Sequence, residues 1–162
     1  FLGNGYSPER LRLGKFLASL RAEGIDVGLY GSWPQGIASG SNLYDFAHGA
    51  AIYQRAKFAI SDQQWPQAVG YVSNRLFQAM AAGGAVVLQQ AFLGLQEWIG
   101  VEPGIHLLTW KDFHELEGKI RQGLQHPELL EGMAERGQQY ILANHSFDMR
   151  VHELWSRLQW QS

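Results

Sequence analysis

Four successive apolar residues, Ala85-Val86-Val87-Leu88, follow a glycine pair that closes a helix-period segment. A strand with one face in water alternates apolar and polar residues. A strand that is apolar at every position is buried on both faces, as in a parallel sheet covered by helices. The segment before it, Asn74 to Ala82, places Leu76, Phe77 and Met80 on one helical side, with Ser73 placed to cap it and Gly83-Gly84 to stop it. Helix and strand are therefore adjacent in sequence and short. That is the repeating unit of an α/β fold.

The alternation recurs along the chain. Phe1-Leu2 is short and apolar and leads into Gly3-Asn4-Gly5. Ser7 and Pro8 open a helix as N-cap and first helical residue, Leu13, Phe16, Leu17 and Leu20 give it one apolar side, and Gly24 ends it. Strands are expected at Ile25–Tyr30, Phe58–Ser61 and Ile105–Thr109. A second helix is expected through Leu43, Phe46, Ala47, Ala50 and Ala51, and a short one around Leu95 to Ile99. Gly36 to Ser41 reads as a loop, as does Asp62 to Gly70, which carries Trp65-Pro66. After Lys111 the chain is helical in three segments, broken near His126-Pro127 and Asn144-His145. About five short strands alternating with helices predict a Rossmann-like, doubly wound parallel sheet. The whole chain, 1–162, reads as one domain with a helical tail over about 126–160. It opens on Phe1 with no initiator Met, at a point that reads as a strand, so a fragment of a longer chain is expected.

Composition narrows the function. Hydrophobic residues make up 46% and charged residues 17% of 162, a globular balance. The formal net charge of −2 excludes a broad electrostatic grip on nucleic acid. There is no cysteine, which removes thiolate catalysis and disulfides and suits a cytoplasmic location. No apolar run approaches the roughly 20 residues of a membrane span, and no secretory signal opens the chain. The six histidines show no metal-ligand spacing. His106 is expected in a strand, and His114, His126 and His145 near helix ends.

In a doubly wound sheet, ligands bind beyond the carboxyl ends of the strands. Gly3-x-Gly5 there is half of a dinucleotide fingerprint, with Pro8 where the third glycine should be. A tight turn needing glycine dihedrals, or a phosphate held on helix-start amides, are the other readings. Ser73-Asn74-Arg75 opens a helix whose amides and positive dipole end suit an anion, with plain capping as the alternative. Trp33 and Trp65 lie in loops at the same edge, where a sugar or base can stack.

Over Tyr71-Val-Ser-Asn-Arg-Leu-Phe-Gln-Ala-Met-Ala-Ala-Gly-Gly-Ala-Val-Val-Leu88 the chain resembles the C-terminal half of group-one GT-B glycosyltransferases, most closely the spore-protein glycosyltransferase-like branch. Ser73, Arg75, Phe77, Ala79, Ala81 and Gly83 match that branch's helix–strand motif. Gly94-Leu95-Gln96-Glu97 is similar to its Gly-x-x-Glu turn. Asp112 to Leu124, His126-Pro127-Glu128 and His145 to Arg150 are similar to its tail, and Leu29-Tyr30-Gly31 and Arg10 also fit. The resemblance implies a nucleotide-diphosphate sugar as donor substrate, with no further cofactor and no metal. Arg10 and Arg75 become the catalytic cations, and Gly3, Asn4, Gly5, Ser73, Asn74 and Gln78 the donor-binding set. The partner domain, carrying the acceptor site, would precede this chain, and the final helix, with Val151, Leu154, Trp155 and Leu158, would cross back to it.

The sequence departs from the family at three places. Of the family's paired glutamates, the one expected on the donor ribose stands here as Gln78, and the other falls at Gly70. The Gly-Arg of the first loop is absent, with Asn4 in its place. These departures keep a degenerate, non-catalytic nucleotide-binding domain as an alternative. A nicotinamide-dependent oxidoreductase domain is a second alternative. It would want an acid at the end of the second strand, where Leu29-Tyr30-Gly31 has none.

Overall fold

The strands β1 (Phe58–Ser61), β2 (Val86–Gln90) and β3 (Leu108–Trp110) form a parallel sheet in the order β1-β2-β3. Phe58 stands opposite Val86, and Leu88 opposite Leu108. The computed structural model describes residues 1–34, 36–39, 46–65 and 67–159. Around the sheet lie α1 (Pro8–Ala22), α2 (Phe46–Arg55), α3 (Asn74–Ala82), α4 (Leu95–Ile99), α5 (Phe113–Gln125), α6 (Met133–Asn144) and α7 (Phe147–Gln159), with a 3-10 turn at Pro127–Leu130.

Period-two alternation sends Ala59 and Val87 to one face of the sheet and Ile60 and Leu88 to the other. The first face is covered by α2, α3 and α6 through Tyr53, Leu76, Met80 and Ile141. The second is covered by α1 and α5 through Leu13, Leu17, Leu20, Leu116 and Ile120. Both faces are thus closed by helices, which is why Val86, Val87 and Leu88 of β2 are all apolar. Each fully buried Leu contributes about 1.5–3 kcal/mol relative to exposure.

The helix boundaries follow their caps. Ser7 accepts the Arg10 N–H at 3.2 Å with Pro8 first in α1, and Asp112 accepts the Glu115 N–H at 2.8 Å to start α5. Gly83 ends α3 at φ 69°.

The structure corrects three expectations. Ser73 occupies the N-cap position of α3, yet its side chain makes no capping hydrogen bond. Phe1-Leu2 and Ile25–Tyr30 do not form ladder strands. They meet in one parallel bridge, Leu2 to Tyr30, in which Tyr30 donates to the Phe1 carbonyl at 3.0 Å and Gly3 to the Tyr30 carbonyl at 2.9 Å. The last strand starts three residues later than expected and ends one later. Ile105 and His106 lie in a turn built on the Glu102 carbonyl, and His106 Nδ1 accepts the Glu102 N–H at 2.9 Å. His106 is therefore a turn residue. The Leu43 end of the second helix, Gly40 and Ser41 of the glycine-rich loop, Pro66 and Trp160 fall outside the described residues.

Candidate functional site

The carboxyl end of β1 runs straight into Asp62. Its side chain is 7% exposed and holds two arginines at once. Oδ2 accepts from Arg10 Nε at 2.7 Å, and Oδ1 accepts from Arg75 Nη1 at 2.6 Å. Arg10 sits in the first turn of α1 and Arg75 is the second residue of α3. Each arginine side chain is 14% exposed. A cation at a helix start faces the positive end of the dipole and is unfavourable there. Two such cations side by side are worse, and the buried carboxylate offsets both. One carboxylate against two guanidinium groups and two helix starts still leaves an excess of positive potential.

Burial pulls the Arg75 pKa below the ordinary arginine value, Arg10 pulls in the same direction, and Asp62 opposes them. Asp62 takes one donor from each arginine, and among the described residues neither guanidinium makes a second hydrogen bond. Arg75 also lies over the Phe1 ring, 4.9 Å from its centroid.

Two loops close the other side. Asn4 Oδ1 accepts the Ser32 N–H at 2.7 Å, and Gly5 donates to the Ser32 carbonyl at 2.9 Å. Gly31, at φ 120°, approaches so closely that a Cβ there would lie 2.0 Å from the Gly3 carbonyl oxygen. A Cβ on Gly3 would meet Arg75 Nη2 at 2.9 Å. The glycines of this loop therefore admit a guanidinium and a neighbouring backbone.

Between these walls lies an open cleft of about 690 Å³. Gly3, Asn4, Arg10, Ser73, Asn74, Arg75 and Gln78 all line it. Gly5 does not, because it packs under the Trp33 ring, which a Cβ would meet at 2.8 Å. The Ser73 N–H donates to Gln63 Oε1 at 3.0 Å, so that amide is already engaged within the protein. The following N–H groups of α3 are those a helix cannot satisfy internally.

Trp33 is no stacking platform. It stands edge-on to Phe1 at 5.7 Å between centroids and donates Nε1 to the Tyr30 carbonyl. Trp65 is exposed and edge-on to Tyr71, which lines the cleft. Gly70 forms an exposed turn at φ 82°.

Asp62 and Tyr53 are absent from the expected set. Tyr53 reaches the cleft from α2, its hydroxyl is buried, and burial pushes its pKa up to about 12 against the pull of Arg75. One signal for Asp62 was present, namely an acid directly after an apolar strand, at the edge where this topology binds ligands. Tyr53 carried no such signal, since a lone tyrosine on an apolar helix side is ordinary core.

Residues 10–156 match the family described as glycosyl transferase-like. The chain belongs to that family. No curated protein matches it in sequence. Among solved structures, the sucrose-phosphate synthase of Thermosynechococcus elongatus superposes with a TM-score of 0.68 at 19% identity, over 94% of this chain and 44% of that one. This likeness establishes the fold. The glycosyl transferase-like chain has the architecture of a GT-B C-terminal domain and spans less than half the length of the synthase. Among the described residues, no helix is long and apolar enough to cross a membrane.

Proposed function

We propose that this chain is the donor-binding domain of a two-domain glycosyltransferase, acting in the cytoplasm on a nucleotide-diphosphate sugar. The observation that supports this most is the convergence of Arg10, Arg75 and the start of α3 on one cleft wall, with Asp62 buttressing both guanidinium groups from behind. In glycosyl transfer the bond from the sugar's anomeric carbon to the phosphate oxygen breaks while an acceptor oxygen bonds that carbon. The departing diphosphate gains negative charge. Fixed cations and helix-start amides stabilise that charge without reorganising at the moment of reaction. Gln78, one turn into α3, faces the ribose as a neutral hydrogen-bonding group.

The acceptor site and any catalytic base would then lie on a preceding domain. We assign the apolar stripe of α7 to contact with it: Phe147, Val151, Leu154, Trp155 and Leu158 are all exposed and share one helical side. Hydrogen exchange over 147–158 should be slower in a full-length protein than in this chain.

The test is calorimetric titration with a panel of nucleoside diphosphates and their sugars, together with a transfer assay on the chain alone. Saturable binding without transfer is expected. Efficient transfer by these 162 residues would overturn the two-domain reading. The second reading, a degenerate domain that no longer uses a donor, is favoured by Gln78 and Gly70 standing where the resemblance expects glutamates. It predicts no binding to any member of the panel with the fold intact.

A further inference from the structure

Four buried side-chain polar atoms find no partner among the described residues: the Tyr53 hydroxyl, Ser61 Oγ, Gln63 Nε2 and Gln89 Oε1. An unpaired buried hydroxyl is unfavourable, so each such group calls for an explanation. Of the four residues, Tyr53 is the one that lines the large cleft. Its side chain is only 4% exposed, so its rotamer is fixed by packing. Gly49 and Ala50 of the same helix line the cleft with it, as do Arg75 and Tyr71. The hydroxyl is close enough to Arg75 for each to shift the other's titration. A guanidinium has no lone pair to accept from a hydroxyl. Arg75 therefore does not satisfy the Tyr53 proton, but an anion bound to Arg75 would.

We propose that the Tyr53 hydroxyl is a ligand-binding group of the cleft, donating its proton to a phosphate oxygen that Arg75 also holds. The role rests on the proposed binding of a diphosphate and deepens it by adding a neutral donor from a third element. Arg10 comes from α1, Arg75 from α3 and Tyr53 from α2, so the anion would tie three helices together. The arrangement separates affinity from stability. A hydroxyl that serves only packing makes the ligand-free fold weaker when removed. A hydroxyl waiting for a ligand leaves that fold unharmed, or strengthens it, because an unsatisfied buried group disappears.

The decisive variant is Tyr53→Phe, which keeps the ring and deletes only the hydroxyl. Inorganic pyrophosphate and UDP serve as probes in calorimetric titrations of this chain, with thermal melting measured without ligand. Dissociation constants for both probes should rise about tenfold or more, as for loss of a hydrogen bond to a charged group. The ligand-free melting temperature should be unchanged or higher. Equal affinities in wild type and variant would overturn the role of Tyr53 while leaving the diphosphate reading in place. A lower melting temperature would show that the hydroxyl already has a partner in the empty protein, which also overturns it. Failure of wild type to bind pyrophosphate or any nucleoside diphosphate would remove both.

Discussion

Among the described residues the same small assembly occurs twice, one carboxylate shared between two arginines. In the cleft, Asp62 bridges Arg10 at 2.7 Å and Arg75 at 2.6 Å, with all three side chains largely buried. On α7, Glu153 bridges Arg150 at 2.9 Å and Arg157 at 2.7 Å, but Glu153 is 44% exposed. The distances are nearly equal and the surroundings are not. Water screens the α7 set and would solvate each member if it were broken. The buried set has no such recourse, because a guanidinium stripped of its partner stays out of water. Geometry alone therefore does not rank the two, and burial does. The contrast also separates structure from function: α7's set decorates a helix, whereas the cleft set holds two cations at positions where helix dipoles disfavour them.

The largest expected effect breaks the buried set. Asp62→Ala should destabilise the fold by about 3–5 kcal/mol, as for loss of one partner from a buried ion pair. Urea unfolding would measure it, and a loss no greater than that of a surface substitution would show that the arginines find other partners. Next comes Arg10→Ala, which leaves Asp62 paired with Arg75. Titration calorimetry should show nucleoside-diphosphate binding weakened by about 1.5–3 kcal/mol, the range for a hydrogen bond to a charged group. Smaller again is Gln78→Ala, at about 1 kcal/mol for a neutral bond to the ribose. Gln78→Glu should keep or tighten binding if the cleft works as the resemblance implies, and a clear loss would argue that the glutamine is adapted to a different ligand. The smallest is Glu153→Gln on α7, for which neither melting temperature nor nucleotide affinity should change measurably. A resolved drop in either would end the contrast on which this ranking rests.

The same pair of sites explains what the sequence disclosed. Arg150, Glu153 and Arg157 are three and four residues apart, so a helical wheel shows them together. Asp62 is 52 residues from Arg10 and 13 from Arg75, and no local period links them. Arg10 and Arg75 were legible singly, one through the resemblance and one through its place at a helix start, but the carboxylate between them was not. The doubly wound fold was legible because Ala85 to Leu88 is apolar at every position and glycines punctuate the elements. The first two strands were overread. Ile25 to Tyr30 has strand-like composition, yet it meets Phe1-Leu2 in one bridge only, at Leu2 and Tyr30. Ser73 followed the capping rule by residue type but not in its contacts, since its N–H is held by Gln63 while its hydroxyl leaves the helix start uncapped. Trp33 looked like an exposed platform because loop position was visible and its packing on Phe1 and the Gly5 backbone was not.

A diphosphate bound between the Gly3–Asn4 loop and the start of α3 would be seen by amide chemical-shift mapping during titration with a nucleoside diphosphate, because every backbone N–H along that wall reports separately. Saturable shifts are expected, concentrated at Gly3, Asn4, Asn74, Arg75 and Gln78 and lost in Arg10→Ala at the same ligand concentration. Shifts centred elsewhere on the molecule, or none at all in a folded sample, would rule out diphosphate binding at this cleft.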